Sequence, residues 1–342
     1  MATSSHKLDV VGDIHGQLEG LRALGRHLGY RVDDGWSHPD GRTLVFLGDL
    51  TDRGPDSLGV ARLVFSLVDS GRAFCLMGNH EYNLVGWALG QMKVKTSNRQ
   101  TCDAALADQA AWKPLLERMR DLPLAVHLPE LRLVHAVWLR DALEAVRPRL
   151  APRMTTVSDG ASTAAWLRRH VVLESPWGPT GLRPGITRDP FRGQQDSPQE
   201  LLLKGYEIPC PPFKDRDGKT RDRARVTWWD LALPPVPTDE LTVFGHYWNL
   251  PPMPARAHDA FAPPHPPGTD PLRAWQRANA ASTPAFGTVA VPPEVRFVCV
   301  DYSGVPDGNA GSCVGAFRWP ERQVSWVRLP DADVGLLGQG DD

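Results

Sequence analysis

In Leu47-Gly48-Asp49-Leu50-Thr51-Asp52-Arg53-Gly54, two carboxylates and a guanidinium directly follow an apolar run. The run that begins at Thr43 is short, contains β-branched and aromatic side chains and ends at a glycine, which predicts a buried strand. Such a strand would deliver Asp49, Asp52 and Arg53 onto the loop at its carboxyl end, where open α/β sheets commonly bind ligands. Because two bare carboxylates so close together would repel each other, the stretch predicts a metal ion and an imidazole or guanidinium partner nearby.

Two further strand ends carry residues of the same kind. Residues 8–11 predict a strand that runs into Gly12-Asp13-Ile14-His15-Gly16, and residues 73–77 predict one that runs into Gly78-Asn79-His80-Glu81. Apolar residues at helical spacing separate the three strands, which gives a βαβαβ pattern. Since the strands of such a unit are parallel, the three loops are expected at one edge of the sheet.

The rest of the chain predicts a second set of elements. Further strands are expected at 124–128, 131–135, 241–244, 295–300, 313–319 and 323–327. The second of these ends in His135, and the third runs into Gly245-His246. The last three are expected to be antiparallel, because their connections are short.

Helices and loops complete the prediction. Residues 102–119 and 161–173 have helical spacing, and Pro114 is expected to begin a new segment. The charged stretch 214–225 is expected to form a solvated loop.

The domain prediction is a single domain over residues 7–329. It carries irregular insertions at about 176–225 and 251–293, where proline and glycine or charged residues are frequent. The small, acidic tail 330–342 is expected to be flexible.

Composition excludes several function classes. A formal charge of −2 and a pI near 6.6 give no basic field for bulk nucleic-acid binding. No apolar run approaches the roughly 18 residues that a membrane span needs, and the polar N-terminus lacks a signal-peptide apolar region. The five cysteines include no CxxC pair, which argues against a disulfide framework and a structural zinc site. A cytoplasmic location is therefore expected.

The strand-end residues form a mixed set of oxygen and nitrogen donors without thiolate. They are Asp13, His15, Asp49, Asn79, His135 and His246. Two carboxylates, one amide and three imidazoles suit Mn, Fe, Zn, Co or Ni better than Ca. Six donors exceed what one catalytic ion with open positions needs, so a two-metal site is predicted, with one carboxylate bridging ions about 3.5–4 Å apart.

The three loops resemble the signature motifs of calcineurin-like metallophosphoesterases, in the form typical of phosphoprotein phosphatases. The matching segments are Gly12-Asp13-Ile14-His15-Gly16, Gly48-Asp49-Leu50-Thr51-Asp52-Arg53-Gly54 and Gly78-Asn79-His80-Glu81. His135 and His246 stand where that family places its two later metal-binding histidines. The resemblance implies a layered α/β (α+β) fold, in which a central β-sandwich of mixed sheets is flanked by helices.

The resemblance also implies how the two ions would be held. Asp13 and His15 would bind the first ion, and Asp49 would bridge. The second ion would be bound by Asn79, His135 and His246. The ions are expected to be divalent, with manganese preferred and Fe, Zn, Co or Ni as alternatives.

Three further residues would act on the substrate. Arg53 has a planar fork that can grip two phosphate oxygens. His80 would protonate the leaving oxygen, and Asp52 would hold its other ring nitrogen and raise its pKa. Tyr247, directly after His246, is a candidate for lining the substrate groove.

The predicted reaction is hydrolysis of a phosphate monoester by in-line attack of a metal-bridging hydroxide. The substrate would be a phosphorylated protein or nucleotide, and phosphoserine or phosphothreonine is the first hypothesis. Hydrolysis of dinucleoside polyphosphates or of polynucleotide-end phosphates is the alternative. A binding module without metal would have lost ligands, which this sequence has not. The oligomeric state stays open.

Overall fold

A computed structural model describes the protein at residues 6–138, 162–173, 175–177, 187–188, 195–196, 198–205, 207–214, 220–225, 228, 240–247, 285–293, 295–302 and 313–329. Most of the predicted excursion at 251–293 and all of the tail at 330–342 lie outside these residues. The single domain over 7–329 stays a prediction.

The helical segments between the first three strands and within 102–119 and 161–173 agree with the prediction, whereas those at 79–88, 96–98 and 198–204 were not predicted, and the last of them lies in the insertion expected to be irregular. The helical segments are α1 (Leu18–His27), α2 (Ser57–Asp69), α3 (Asn79–Ala88), a 3-10 turn (Thr96–Asn98), α4 (Arg99–Ala107), α5 (Gln109–Arg120), α6 (Thr163–Arg169) and α7 (Pro198–Lys204). The strands are β1 (Leu8–Val11), β2 (Thr43–Phe46), β3 (Ala73–Cys75), β4 (Ala125–His127), β5 (Leu131–Val134), β6 (Val171–Leu173), β7 (Thr187–Arg188), β8 (Gln195–Asp196), β9 (Glu207–Lys214), β10 (Thr220–Arg225), β11 (Leu241–Phe244), β12 (Phe286–Ala290), β13 (Phe297–Cys299), β14 (Cys313–Trp319) and β15 (Gln323–Arg328).

The first sheet contains the βαβαβ unit. Its strand order is β12-β15-β14-β1-β2-β3. Strands β1, β2 and β3 are parallel, with Val11 opposite Phe46 and Phe46 opposite Cys75. Helices α1 and α2 are the crossovers, so the carboxyl ends of all three strands lie at one edge, as predicted. Strand β14 extends the sheet antiparallel to β1.

The second sheet packs against the first to form a sandwich. Its strand order is β13-β11-β5-β4-β6. Alternate residues of the two sheets share one buried cluster, with Val10 and Val45 from the first sheet and Leu133 and Val243 from the second. The opposite face of the first sheet packs with the apolar faces of α1 and α2 in the other cluster. The predicted layered α/β fold is confirmed.

The pairing of the closing strands differs in part from the prediction. Strands β14 and β15 are antiparallel, but β13 is parallel to β11 in the second sheet, with Val298 opposite Val243. A short connection constrains only strands that are neighbours in the chain, and β13 lies about 50 residues after its partner, which leaves room for a crossover. Residues 286–290, predicted as part of an irregular insertion, form the edge strand β12 against β15.

Three local predictions are also wrong. The helical stretch breaks at Asp108, whose carboxylate accepts a hydrogen bond from the backbone of Ala111 at 3.0 Å, and Pro114 lies inside α5. Residues 171–173 leave the predicted helix and pair with β4. Of the charged stretch 214–225, Lys214 ends β9 and residues 220–225 form β10, which pairs antiparallel with β9, since exposed charges need only one solvated face.

Among the residues that the structure describes, no helix combines the length and apolar character that crossing a bilayer requires.

Candidate metal centre

The carboxyl ends of five strands converge on one site. In the first sheet, the backbone N–H groups of Ile14 and His15 donate to the carbonyl of Asp49 at 3.1 and 2.9 Å, which ties the loop after β1 to the loop after β2. In the second sheet, the backbone N–H of Gly245 donates to the carbonyl of His135 at 2.7 Å. The site therefore draws its side chains from both layers of the sandwich. It brings together Asp13, His15, Asp49, Asn79, His135 and His246.

Several of these residues have left-handed backbone conformations. The φ angles of His15, Asp49 and His246 are +48°, +51° and +66°, and those of Asp52 and Arg53 are +72° and +67°. Each such conformation costs a residue with a side chain on the order of 1–3 kcal/mol. The hydrogen bonds between the loops hold this geometry, which turns the side chains toward a common centre.

The carboxylate of Asp49 lies at that centre. Its Oδ2 is 3.6 Å from Nε2 of His15, and its Oδ1 is 3.5 Å from Nε2 of His135. Donors that share one ion at about 2.1 Å lie roughly 3.0–3.4 Å apart, so a small contraction would close either group around a cation. Asp49 belongs to two compact donor groups, one with His15 and His80 and one with His135 and His246.

The imidazole rings are held by their outer nitrogens. Nδ1 of His15 lies 2.9 Å from the carbonyl of Thr51, and Nδ1 of His135 lies 3.0 Å from that of Leu47. Nε2 of His246 lies 3.1 Å from the carbonyl of Lys204. A backbone carbonyl at one nitrogen fixes the tautomer that leaves the other nitrogen free to ligate a metal. Nε2 of His15 is buried and has no hydrogen-bond partner among the described residues.

The charges of the site also fit a cation. Burial, helped by Arg53 and His80, lowers the pKa of His15 well below its usual value, which keeps the ring neutral. Burial opposes ionisation of Asp49, but the four imidazoles around it hold the pKa of its carboxyl below the usual range. Burial together with the carboxylates of Asp301 and Asp49 raises the pKa of Asp13. A bound cation would relieve this repulsion between carboxylates.

The grouping differs in one respect from the grouping that the resemblance implies. Oδ2 of Asp13 is 3.8 Å from Nε2 of His15, and its Oδ1 accepts a hydrogen bond from the backbone of His246 at 3.2 Å. Asp13 therefore lies between the two donor groups. Nε2 of His80 is 3.9 Å from Oδ2 of Asp49 and completes the first group.

His80 and Asp52 form a close buried pair. Nδ1 of His80 lies 2.5 Å from Oδ2 of Asp52. Burial would lower the pKa of His80, but Asp49 and the hydrogen bond to Asp52 raise it. A ring held in this way presents Nε2 to the centre, where it can donate a proton to a leaving group or bind an ion.

The two predicted substrate contacts have different surroundings. Arg53 is partly buried, and its charge helps to lower the pKa of His15 and opposes the rise in the pKa of Asp13, which places the guanidinium within electrostatic reach of the donor groups. Tyr247 is only 5% exposed and packs in the core beside His246 and Phe244. That burial argues against a direct contact of the Tyr247 ring with a substrate.

Glu81 has a structural role at the site that sequence reasoning missed. From the sequence, it is an acid in the first turn of a helix, favoured by the helix dipole. In the structure, its buried carboxylate accepts hydrogen bonds from the backbone of Asp49 at 2.7 Å, Leu50 at 2.9 Å and Gly78 at 3.1 Å. Burial and Asp49 raise the pKa of Glu81 to about 7, and His80 and the N–H donors of Leu50 and Asp49 oppose the rise. The residue joins α3 to the loop after β2.

Asp301 is the second site residue that sequence reasoning missed. It is fully buried just after β13, and its carboxylate is the largest charged contributor to the raised pKa of Asp13. Its signal in the sequence is an apolar run that ends in an acid, the pattern that also marks Asp13 and Asp49. The order of strands in the second sheet had to be known before that acid could be placed at the site.

The comparisons with known proteins agree with this geometry. Residues 6–195 match the family described as calcineurin-like phosphoesterase. The chain is 34% identical over 137 residues to the bis(5'-nucleosyl)-tetraphosphatase PrpE [asymmetrical] of Oceanobacillus iheyensis, a match that covers 38% of this chain and 55% of that protein. It is 38% identical over 138 residues to the protein of the same name from Halalkalibacterium halodurans, which covers 37% and 55% of the two chains. The chain thus spans about half the length of these relatives.

The chain is also similar, at low sequence identity, to solved structures. A serine/threonine phosphatase from Saccharomyces cerevisiae aligns with a TM-score of 0.48 and 14% identity over 96% of this chain and 82% of the other. A metallophosphoesterase from Sphaerobacter thermophilus aligns with a TM-score of 0.37 and 14% identity over 96% and 90%. The family match covers more than half of the chain and includes the loops that carry Asp13, Asp49 and Asn79. The chain therefore belongs to the calcineurin-like phosphoesterase family.

Proposed function

We propose that the chain is a metal-dependent phosphohydrolase that acts at a two-metal centre, with dinucleoside polyphosphates as its favoured substrates. The observation that carries the reaction type is the position of Asp49, whose two oxygens face His15 at 3.6 Å and His135 at 3.5 Å. One carboxylate between two donor groups is the arrangement of a two-metal hydrolase. The substrate class is supported by the names of the relatives, which are tetraphosphatases.

The residues that would hold the ions follow from the donor groups. Two donor groups share Asp49, one with His15 and the other with His135 and His246. Asp13 lies within reach of the first group and Asn79 within reach of the second. When bound, two divalent cations lower the pKa of a coordinated water and neutralise phosphate charge. Manganese is proposed, with Fe, Zn, Co or Ni as alternatives, because all of these ions suit oxygen and nitrogen donors without thiolate.

The other residues would work on the phosphate and on its leaving group. Arg53 would bind two oxygens of the phosphate under attack, since its fork matches their spacing. Asp52 would keep the proton on Nδ1 of His80, so that a second proton on Nε2 can pass to the departing oxygen. The proposed roles of His80 and Asp52 follow from the buried contact between them.

Phosphomonoesters of alcohols form the second candidate class. An alcohol, such as a serine or threonine side chain or a sugar at a polynucleotide end, leaves as a poor anion and gains most from a proton donor. A nucleotide leaves as an already stable anion and gains less. The pairing of His80 with Asp52 at 2.5 Å is the observation that favours this second class.

We also propose that the protein works in a reducing compartment, the cytoplasm. Among the described residues, Cys75, Cys102, Cys299 and Cys313 are buried and form no disulfide. Burial raises the pKa of the Cys75 and Cys299 thiols well above the usual value, so they stay protonated and unreactive. Free thiols in this number suit a reducing compartment.

A turnover panel tests the proposed function. The full chain, loaded with Mn²⁺, is offered dinucleoside tetraphosphate, a phosphoserine peptide and an oligonucleotide with a terminal phosphate, and kcat/KM is measured for each. We expect dinucleoside tetraphosphate to be the best substrate, with water adding across one anhydride bond to give unequal products. Asp49→Asn is the inactive control, because an amide cannot bridge two cations as a carboxylate does.

The outcomes separate the two classes. A kcat/KM on phosphopeptide or oligonucleotide that exceeds the value on dinucleoside tetraphosphate assigns the second class. Full activity of Asp49→Asn would overturn the two-metal site itself.

A further inference from the structure

The contact between Asp52 and His80 depends on how the backbone of Asp52 is held. Oδ2 of Asp52 lies 2.5 Å from Nδ1 of His80. The other carboxylate oxygen, Oδ1, is buried and has no hydrogen-bond partner in the part of the chain that the structure describes. A carboxylate with a single hydrogen bond takes its direction from the backbone that carries it, so the backbone of Asp52 sets where His80 points.

That backbone has a conformation that needs support. The φ angle of Asp52 is +72°, in the left-handed region that residues with a side chain rarely adopt. Such a conformation persists only where the surrounding contacts hold it. The carbonyl of Asp52 accepts a hydrogen bond from the backbone N–H of Gly54 at 2.7 Å, and its own N–H donates to the hydroxyl of Ser57 at 2.9 Å. The second contact is made by a side chain, so a single substitution can remove it.

The hydroxyl of Ser57 is itself fixed by the start of α2. Asp56, the residue before it, accepts a hydrogen bond from the backbone of Gly59 at 2.7 Å and so caps the helix. The backbone N–H of Asp56 donates to the carbonyl of Gly16 at 3.0 Å, which ties the helix start to the loop after β1. The hydroxyl of Thr101 on α4 lies 3.5 Å from that of Ser57. Ser57 therefore has a defined position from which it can hold Asp52.

We propose that Ser57 is a positioning residue for the reaction, whose hydroxyl holds the backbone of Asp52 so that the carboxylate orients His80 toward the leaving group. The inference rests on the proposed function in one respect, since it takes His80 as the proton donor. Ser57 is needed as an acceptor for one N–H. Alanine should therefore release the backbone of Asp52, and threonine should keep it in place.

Hydrogen–deuterium exchange tests the contact without turnover. The Mn²⁺-loaded full chain is compared with its Ser57→Ala variant at single-residue resolution. The backbone N–H of Asp52 should exchange about tenfold faster in the variant, the usual size of one lost hydrogen bond. The N–H of Val64, a buried residue in the middle of α2, should exchange at the wild-type rate. That difference separates local release of Asp52 from general loosening of the helix.

Turnover shows whether the contact serves the proton donor. In Ser57→Ala, kcat/KM on an alkyl phosphate should fall roughly 10–100-fold, because a misplaced acid loses part of its effect. The fall should be smaller than in His80→Asn, where the acid is absent. The fall on 4-nitrophenyl phosphate should be much smaller again, because nitrophenolate leaves without a proton.

Three further variants show that the effect passes through His80. Ser57→Ala combined with His80→Asn should be no slower than His80→Asn alone, since losses within one network do not add. Ser57→Thr keeps the hydroxyl and should recover most of the wild-type rate on the alkyl phosphate. Ser66→Ala removes an exposed hydroxyl farther along α2 and should leave both rates unchanged.

Three results are incompatible with the inference. They are an Asp52 N–H that exchanges no faster in Ser57→Ala, equal slowing of both substrates by that variant, and the same loss in the His80→Asn background as in the wild type. Because the exchange measurement uses no substrate, it decides whether Ser57 holds Asp52 even when the turnover panel contradicts the proposed function.

Discussion

At the scale of single residues, His80 has two candidate roles, as a metal ligand and as a proton donor. It faces Asp49 at 3.9 Å and could complete a donor group, and it also contacts Asp52 at 2.5 Å in the manner of an oriented acid. A metal ligand and a proton donor respond differently when the ring is removed. Loss of a ligand lowers metal content, whereas loss of an acid slows the departure of poor leaving groups.

His80→Asn should therefore keep its metal and lose activity selectively. We expect kcat/KM on an alkyl phosphate to fall by about 10²–10⁴-fold, the range of general acid catalysis. The fall on 4-nitrophenyl phosphate should be much smaller, because nitrophenolate leaves without a proton. Metal content by elemental analysis and the two rate ratios check the prediction. Reduced metal content with equal slowing of both substrates would instead make His80 a ligand.

At the scale of elements, α3 organises the site through its first turn. Asn79 and His80 point to the donor groups, and Glu81 reaches back to the loop after β2. A carboxylate is suited to this because its two oxygens accept several N–H donors together. The helix thus fixes the position of Asp49 by backbone contacts as well as by the side chains around it.

Glu81→Gln should loosen this connection. Its amide keeps one acceptor oxygen and turns a donor toward a backbone N–H, so at least one buried N–H loses its partner. We expect a loss of about 1–3 kcal/mol in the free energy of unfolding and a fall of roughly 10–100-fold in metal affinity. Urea unfolding and metal titration measure the two quantities. Glu117→Gln, an exposed acid on α5, is the matched control, and an equal effect there would contradict the role of Glu81.

Local sequence patterns predicted some parts of the site and not others. The loops that carry Asp13, Asp49 and Asn79 were predictable because each is a local strand–turn–helix unit. Local patterns could not place Asp301, since its position depends on the parallel pairing of β13 with the distant β11. They also could not decide that His80, rather than Asp13, forms a compact donor group with His15 and Asp49, because side-chain direction across a shared centre is a tertiary property.

At the scale of the whole molecule, a buried charge network holds the first sheet at the end away from the site. Asp9 on β1 is fully buried and accepts hydrogen bonds from the hydroxyl of Tyr30 at 2.8 Å, from Arg42 at 2.9 Å and from Arg318 at 2.9 Å. Arg42 also contacts Glu321 at 2.8 Å. The network connects β1 to β14 and to the loop after α1.

Asp9→Asn should destabilise the protein without touching its chemistry. The substitution leaves two guanidinium groups facing a buried, neutral amide. Because breaking a buried ion pair costs about 3–5 kcal/mol, we expect the free energy of unfolding to fall by about that amount. The free energy of unfolding in urea checks this. The control is Asp40→Asn, which removes an exposed pair with Lys7 at 3.8 Å and should cost about 1 kcal/mol or less. Equal costs for the two variants would refute the assignment of the network as a stabilising core element.

The division of the donor set between the two sheets has a thermodynamic consequence. Asp49 belongs to the first sheet, and His135 and His246 belong to the second, so the group they form exists only when both layers are assembled. Metal binding and assembly of the two sheets are therefore thermodynamically linked. Raising the free metal-ion concentration above the dissociation constant shifts that equilibrium toward the assembled state. The metal ions required for reactivity would therefore also stabilise the packing of the two sheets.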